Sequence, residues 1–268
     1  MCRDALEART GDADAKMAER IYYWTLNHLA KCLIRQAEQE VAAKQDTAFP
    51  LARLVLGLTL LEHTALGEVL MARLVKKCPY VLGYLPPREE GEADAAYRKR
   101  LGFKDEESVQ MYTNRMSGIA ALYFACLQTR LGSVAQVLPA TAAVPVAQLA
   151  GRVPACLQPS RLWTWQVRCT TPPLTQQALV PALWCVFLEV AGPGALERYG
   201  RQGAKLWRLL LQEGVRAKRL GPGAEQAADA VQGEAVRSAL VRLELLLGTW
   251  AQTGSLGEHA TAGRELGV

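Results

Sequence analysis

The sequence is short of the residues that most enzymes and metal proteins use. It has three histidines, His28, His63 and His259, and none stands in an HExxH or other metal-spaced pattern. GxGxxG, GxxxxGKS/T and GxSxG do not occur either, so no dinucleotide turn, phosphate loop or nucleophile elbow is signalled. The cysteines are odd in number, Cys2, Cys32, Cys78, Cys126, Cys156, Cys169 and Cys185, and none are paired as CxxC. That argues against a zinc site or a disulfide framework and for reduced thiols. No unbroken apolar run reaches the roughly 18 residues of a membrane span. The opening MCRDALEARTGDADAK is polar and acidic, unlike a secretory signal or a transit peptide. Alternating strand patterns are scarce.

What is present is apolar and helical. Half of the 268 residues are hydrophobic, enough for a sizeable core and too many for a disordered chain. The net charge of +5 is too mild to imply nucleic-acid binding by itself. It is uneven, however: residues 151–220 hold ten Lys/Arg against three Asp/Glu. That stretch is read as a basic patch or as a solvated helical face.

Residues 17–43 contain no Gly or Pro, and Ile21, Trp24, Leu26, Leu29, Leu33 and Ile34 recur at helical spacing. Pro50 suits the first turn of the next helix. Leu66, Val69, Leu70, Leu74 and Val75 make one stripe, stopped by Pro79. Residues 88–108 are charged and expected at the surface, with Glu89–Glu90 and Glu106–Glu107 as solvated or helix N-terminal charges. The next helix, about 106–131, should bury Met111, Met116, Ile119, Leu122, Tyr123 and Cys126, with Gly118 allowing close packing. GPG at 192–194 reads as a helix stop and restart. Cys32, Cys78, Cys126 and Cys185 lie among apolar neighbours and read as buried thiols. The six tryptophans are expected in the core or lining a peptide pocket. The sum is an all-α array of antiparallel helix pairs, a flexible arm over 1–15, one domain over 16–252 with a long insertion loop at 133–157, and a flexible tail over 253–268.

Two cation pairs stand out. Lys31 and Arg35 are four apart on a helix and share a face. Lys76 and Lys77 close another helix, where cations complement the dipole. If those helices are antiparallel neighbours, the four cations converge, and with no acidic partner they call for an anion. A stand-alone enzyme is disfavoured because no nucleophile–base pair is visible. A basic helical domain binding RNA directly is the alternative reading.

The segments WTLNHLAKCLIRQAEQEVAAKQDTAFPLARL, MARLVKKCPYVLGY, YRKRLGF and YTNRMSGIAALYFACLQTRL occur in that order, followed by LWCVFLEVAG and YGRQGAKLWRLLLQEG. Together they resemble the C-terminal domain of the Gle-one family of nuclear-pore mRNA-export mediators, fungal type. The resemblance covers most of residues 18–132 and, more loosely, 158–250. It implies a HEAT-like helical repeat array, similar to the middle domain of translation-initiation scaffolds. It implies no catalysis, but binding and activation of a DEAD-box RNA helicase at the cytoplasmic face of the nuclear pore, or in the cytoplasm. Inositol hexakisphosphate (IP6) would serve as tether. The family's basic pocket falls on Lys31, Arg35, Lys76 and Lys77, with Arg35 standing where close fungal relatives can carry histidine. A C-terminal segment of an FG nucleoporin is a further implied partner.

Overall fold

A computed structural model of the chain describes residues 2–136, 138, 144–222 and 230–256. It is all-helical, with no strand among the described residues. The helices are α1 (Cys2–Gln36), α2 (Ala48–Leu60), α3 (Ala65–Lys77), α4 (Asp94–Arg100), α5 (Val109–Gln128), α6 (Leu131–Gln136), α7 (Val146–Arg152), α8 (Ser160–Cys169), α9 (Val180–Leu209) and α10 (Ala230–Thr253). A π-turn over Ala37–Val41 prolongs α1, and another over Leu210–Arg216 prolongs α9.

Helix α5 is the axis of the fold. It packs against α2, the π-turn after α1, and α9, and α9 in turn carries α10. The reason lies in its sequence: after the first two turns nearly every position from Arg115 to Gln128 is buried, so it has no solvent face to offer. Ser108 starts it by accepting a hydrogen bond from the Met111 amide at 3.2 Å. Gly118 lets the π-turn lie directly on α5, as expected: a Cβ there would stand 2.1 Å from the Ala37 carbonyl oxygen. On the other side an aromatic cluster fills the core. Trp165 stacks on Phe187 at 5.0 Å, and Phe124 and Trp184 meet them edge-on. Two of the three fully buried indole N–H groups are partnered, while Trp184 Nε1 is buried without a hydrogen bond. Trp165 donates to the Tyr80 carbonyl at 2.8 Å and Trp207 to Gln166 Oε1 at 2.7 Å.

Several expectations change. Helix α1 begins at Cys2, so the supposed arm over 1–15 is helical from that residue, and residues 14–25 are all exposed. Ile21 and Trp24 therefore lie on a helical face that no described element covers; helical period marks a stripe without saying whether anything packs on it. Met111 is exposed as well, being on the outer face of the first turn of α5, while Met116, Ile119, Leu122, Tyr123 and Cys126 are buried. Of the 133–157 insertion, the described residues form α6, α7 and a 3-10 turn at Ala155–Leu157, and they pack Val134, Leu149, Val153 and Leu157 inward. Residues 137 and 139–143, most of the 253–268 tail and His259 lie outside the described residues. The helix does not stop at 192–194. It runs on through Pro193 and breaks at Gly200, whose φ of 48° and ψ of −122° leave the helical region. Gly192 serves close packing instead, with Trp207 and Leu256 against it. One helical stretch, Val180–Arg216, is apolar and long enough to cross a bilayer, but 67% of its apolar window is buried inside the protein.

Cys32 is exposed, not buried. The core face of α1 runs through Leu26, Ala30, Leu33, Ile34 and Ala37; Cys32 lies beside Lys31 on the opposite face. Cys78, Cys126 and Cys185 are buried as expected, and Cys169 joins them. Burial pushes the Cys78, Cys126 and Cys185 thiols up to about 12, which suppresses the reactive thiolate. A maleimide labelling time course on the native chain should therefore modify Cys32 quickly. Cys78, Cys126, Cys169 and Cys185 should label only after denaturant is added. Equal rates for Cys32 and Cys126 would contradict this packing.

Candidate functional site

Three helices set the site. α1 and α3 pack together while α2 returns the chain between them. The contacts advance in step along both. Near one end the Tyr22 hydroxyl meets His63 Nδ1 at 3.1 Å, just before α3 starts. Further on, Arg73 Nε donates to Asn27 Oδ1 at 2.7 Å. At the far end, Gly102 lies against the Lys77 carbonyl, and its own carbonyl accepts from Arg115, which also pairs with Glu38. So α1 and α3 run parallel, not antiparallel. Parallel packing places both C-terminal turns at one end of the molecule, where the two cation pairs are.

Lys31, Arg35, Lys76 and Lys77 are all exposed. Arg35 is in the last turn of α1, and Lys76 and Lys77 in the last turn of α3. A helix C-terminus favours cations, which accounts for Lys76 and Lys77. None of the four has an ion-pair partner among the described residues. The acid closest in sequence to Arg35, Glu38 on the π-turn, is occupied: Lys104 Nζ is 3.4 Å from its Oε2 and Arg115 Nη1 is 3.5 Å from its Oε1. Exposed cations left uncompensated at two neighbouring helix ends suit a polyanion better than a single carboxylate.

Beneath this surface sits a buried ion cluster, and it overturns the reading of Glu107 as a solvated charge. Glu107 is buried and takes a fork of hydrogen bonds from Arg115, 2.8 Å from Nε and 2.7 Å from Nη2. Its Oε2 also accepts the Lys104 backbone N–H at 3.0 Å. Glu106 beside it is exposed, in a left-handed conformation with φ of 57°. Burial alone pushes the Glu107 carboxyl up, but the Arg115 and Lys104 hydrogen bonds and charges outweigh it and hold it below the ordinary range. A depressed folded-state value contributes stability that is present above the unfolded value, near 4.3, and lost as pH falls through the folded one. Acid unfolding monitored by circular dichroism should thus show a smaller loss of stability below about pH 4 in Glu107→Gln than in the parent. Parallel acid profiles for the two proteins would contradict the pairing. Sequence reasoning missed this cluster; the signal available for it was an arginine in an apolar helix eight residues after a carboxylate.

Among the described residues no three His, Cys, Asp or Glu side chains gather as a metal site. His28 stacks on Trp24 at 5.5 Å, and His63 bonds Tyr22. The basic stretch 151–220 contributes exposed Arg201, Lys205 and Arg208 on α9.

The fold and this surface define a class: an all-helical scaffold whose distinguishing feature is an uncompensated cationic face at two parallel helix ends. The chain belongs to the GLE1 family, described as GLE1-like protein, which matches residues 3–211. The mRNA export factor GLE1 of Saccharomyces cerevisiae is 32% identical over 206 residues, 75% of this chain and 35% of that protein. The mouse mRNA export factor GLE1 is 31% identical over 187 residues, 68% of this chain and 24% of that protein. The chain thus spans about a third or a quarter of these relatives' lengths. Among solved structures, it is similar to Saccharomyces cerevisiae Gle1 bound to IP6 and the C-terminal domain of a substituted Dbp5. Two such complexes align with TM-scores of 0.66 and 0.63, at 27% identity over 86% of this chain and 69% of that one.

Proposed function

We propose that this chain is the helicase-binding domain of an mRNA export factor and acts as a non-catalytic adaptor. It binds a DEAD-box RNA helicase through the C-terminal helicase lobe, with IP6 held between the two proteins. Lys31, Arg35, Lys76 and Lys77 form this chain's half of the IP6 site. The observation that carries the reading is the parallel packing of α1 and α3, which brings two unpaired cation pairs to one end. The related yeast complexes, which join Gle1, a Dbp5 C-terminal domain and IP6, support it.

IP6 carries six phosphates of roughly −1.5 to −2 charge each near neutral pH. Four cations neutralise only part of that, so the other face of the ligand needs a basic surface on the helicase. The ligand then strengthens the protein pair, and the pair strengthens ligand binding by the same factor. Stimulation of ATP hydrolysis follows if the chain binds one arrangement of the helicase lobes better than the other. Family membership supports a place at the cytoplasmic face of the nuclear pore, a HEAT-like pairing of the helices, and a nucleoporin segment as a further partner. The function is tested by ATPase assays of the purified helicase with RNA, with and without this chain, alongside an RNA titration of the chain alone. Stimulation without RNA binding by the chain supports the adaptor. Tight RNA binding without stimulation would replace it with the RNA-binding reading.

A further inference from the structure

We propose that Arg115 is a positioning residue for the anion site: it ties the end of α1 to the loop that braces the end of α3, and so sets the spacing between the Lys31/Arg35 pair and the Lys76/Lys77 pair. The inference rests on the anion-binding reading above and assigns the part of the structure that shapes that site.

Arg115 is buried in the side of α5, 5% exposed, and two separate pieces of chain meet on its guanidinium beside a ring of its own helix. The first is the 102–107 loop, gripped twice. Glu107 takes Nε and Nη2 at 2.8 and 2.7 Å, and the Gly102 carbonyl accepts from Nη2 at 2.7 Å. The second is Glu38, three residues beyond Arg35 on the π-turn, 3.5 Å from Nη1. The ring is that of Tyr112, 5.5 Å away, whose hydroxyl donates to the carbonyl of Leu101, the residue just before that loop. Gly102 is where that loop touches α3: with φ of 88° it lies so close to the Lys77 carbonyl that a Cβ would be 3.3 Å from it. The path from one cation pair to the other is therefore continuous. It runs from Arg35 through Glu38, Arg115 and Gly102 to Lys77.

The charges of this cluster balance, two cations (Arg115, Lys104) against two carboxylates (Glu107, Glu38). The cluster adds no net charge to the anion site, so its contribution must be geometric. Glu38 is the thinnest part of the path. Its Oε1 is buried without a hydrogen bond, held to Arg115 by charge alone. Lysine cannot replace Arg115, because only the planar fork reaches Glu107, Gly102 and Glu38 together.

The test separates position from charge by the sign of an effect. IP6 is titrated calorimetrically into the parent chain, Glu38→Gln and Arg115→Lys, each confirmed as helical by circular dichroism. If the cluster acted on the ligand only through net charge, removing the Glu38 carboxylate would tighten IP6 binding. If Arg115 positions the site through Glu38, the same change weakens it, by about threefold, against the direction of the charge. Arg115→Lys keeps the charge and should weaken binding about tenfold through loss of the fork. Should Arg115→Lys lose its helical signal, the Glu38→Gln arm decides alone. Glu38→Gln that binds IP6 as tightly as the parent, or more tightly, overturns the proposal while leaving the anion site standing. A parent chain that binds no IP6 overturns the anion reading and the positioning role with it.

Discussion

Changing Lys76 and Lys77 together to Gln is expected to remove IP6-dependent strengthening of the helicase complex while leaving the fold intact. Both side chains are exposed at the last turn of α3 and neither has an ion-pair partner among the described residues, so no ion pair is lost. Surface changes of this kind usually alter stability by less than about 0.5 kcal/mol. At the proposed site the ligand would lose two of four cations. Charge-assisted contacts to phosphate are about twice as strong as neutral ones, and two lost together should cost IP6 binding on the order of 10²-fold. Calorimetry with IP6 measures the loss directly, and a melting curve within about 2 °C of the parent shows that it is local. A double variant that binds IP6 as the parent does would place the anion site elsewhere.

The second large effect concerns Gly118. A methyl group there would meet the Ala37 carbonyl oxygen at 2.1 Å, the Ala42 amide nitrogen at 2.8 Å and the Ala42 Cα at 3.0 Å. All three are backbone atoms, of the π-turn (Ala37) and of the residue just after it (Ala42), so no side-chain rotation relieves the clash. Gly118→Ala should cost about 3 kcal/mol or more, a fall in Tm of roughly 6–12 °C. Because the π-turn begins two residues after Arg35, the forced shift should also weaken IP6 binding in whatever fraction remains folded. Thermal unfolding of Gly118→Ala at the parent's Tm would mean that α5 and the end of α1 are less closely packed than described.

The two predictions draw on different depths of the sequence. Lys31, Arg35, Lys76 and Lys77 were legible because helical spacing and helix ends are local properties. The close approach at Gly118 was legible for the same reason, as a glycine amid large apolar residues of a continuous helix. The relative direction of α1 and α3 was not. Spacing within a helix says nothing about how a third helix returns across the first, and two antiparallel connections in succession make α1 and α3 parallel. That topology, rather than an antiparallel pairing, brings the cations to one end.

Burial was misread where it depends on partners distant in sequence. Cys32 sits in LAKCLIRQ among apolar residues, yet it belongs to the outer face, because the core of α1 uses Ala30, Leu33, Ile34 and Ala37. Glu107 lies in a charged run yet is buried, since Arg115 two turns into α5 folds back over it. Trp24 and Ile21 follow the helical period of the core residues but lie on an exposed face of α1. In each case the local pattern was real, and the element that would cover or expose it came from elsewhere in the chain.

On the proposed function, an anion seated on Lys31, Arg35, Lys76 and Lys77 joins this chain to a DEAD-box helicase. The most direct measurement of this is the affinity of the purified chain for the helicase by calorimetry or biolayer interferometry, with and without saturating IP6, at two salt concentrations. The account predicts at least about tenfold tighter binding with IP6, an increment that shrinks as salt screens the cation surface. Equal affinity with and without IP6 at low salt would contradict it.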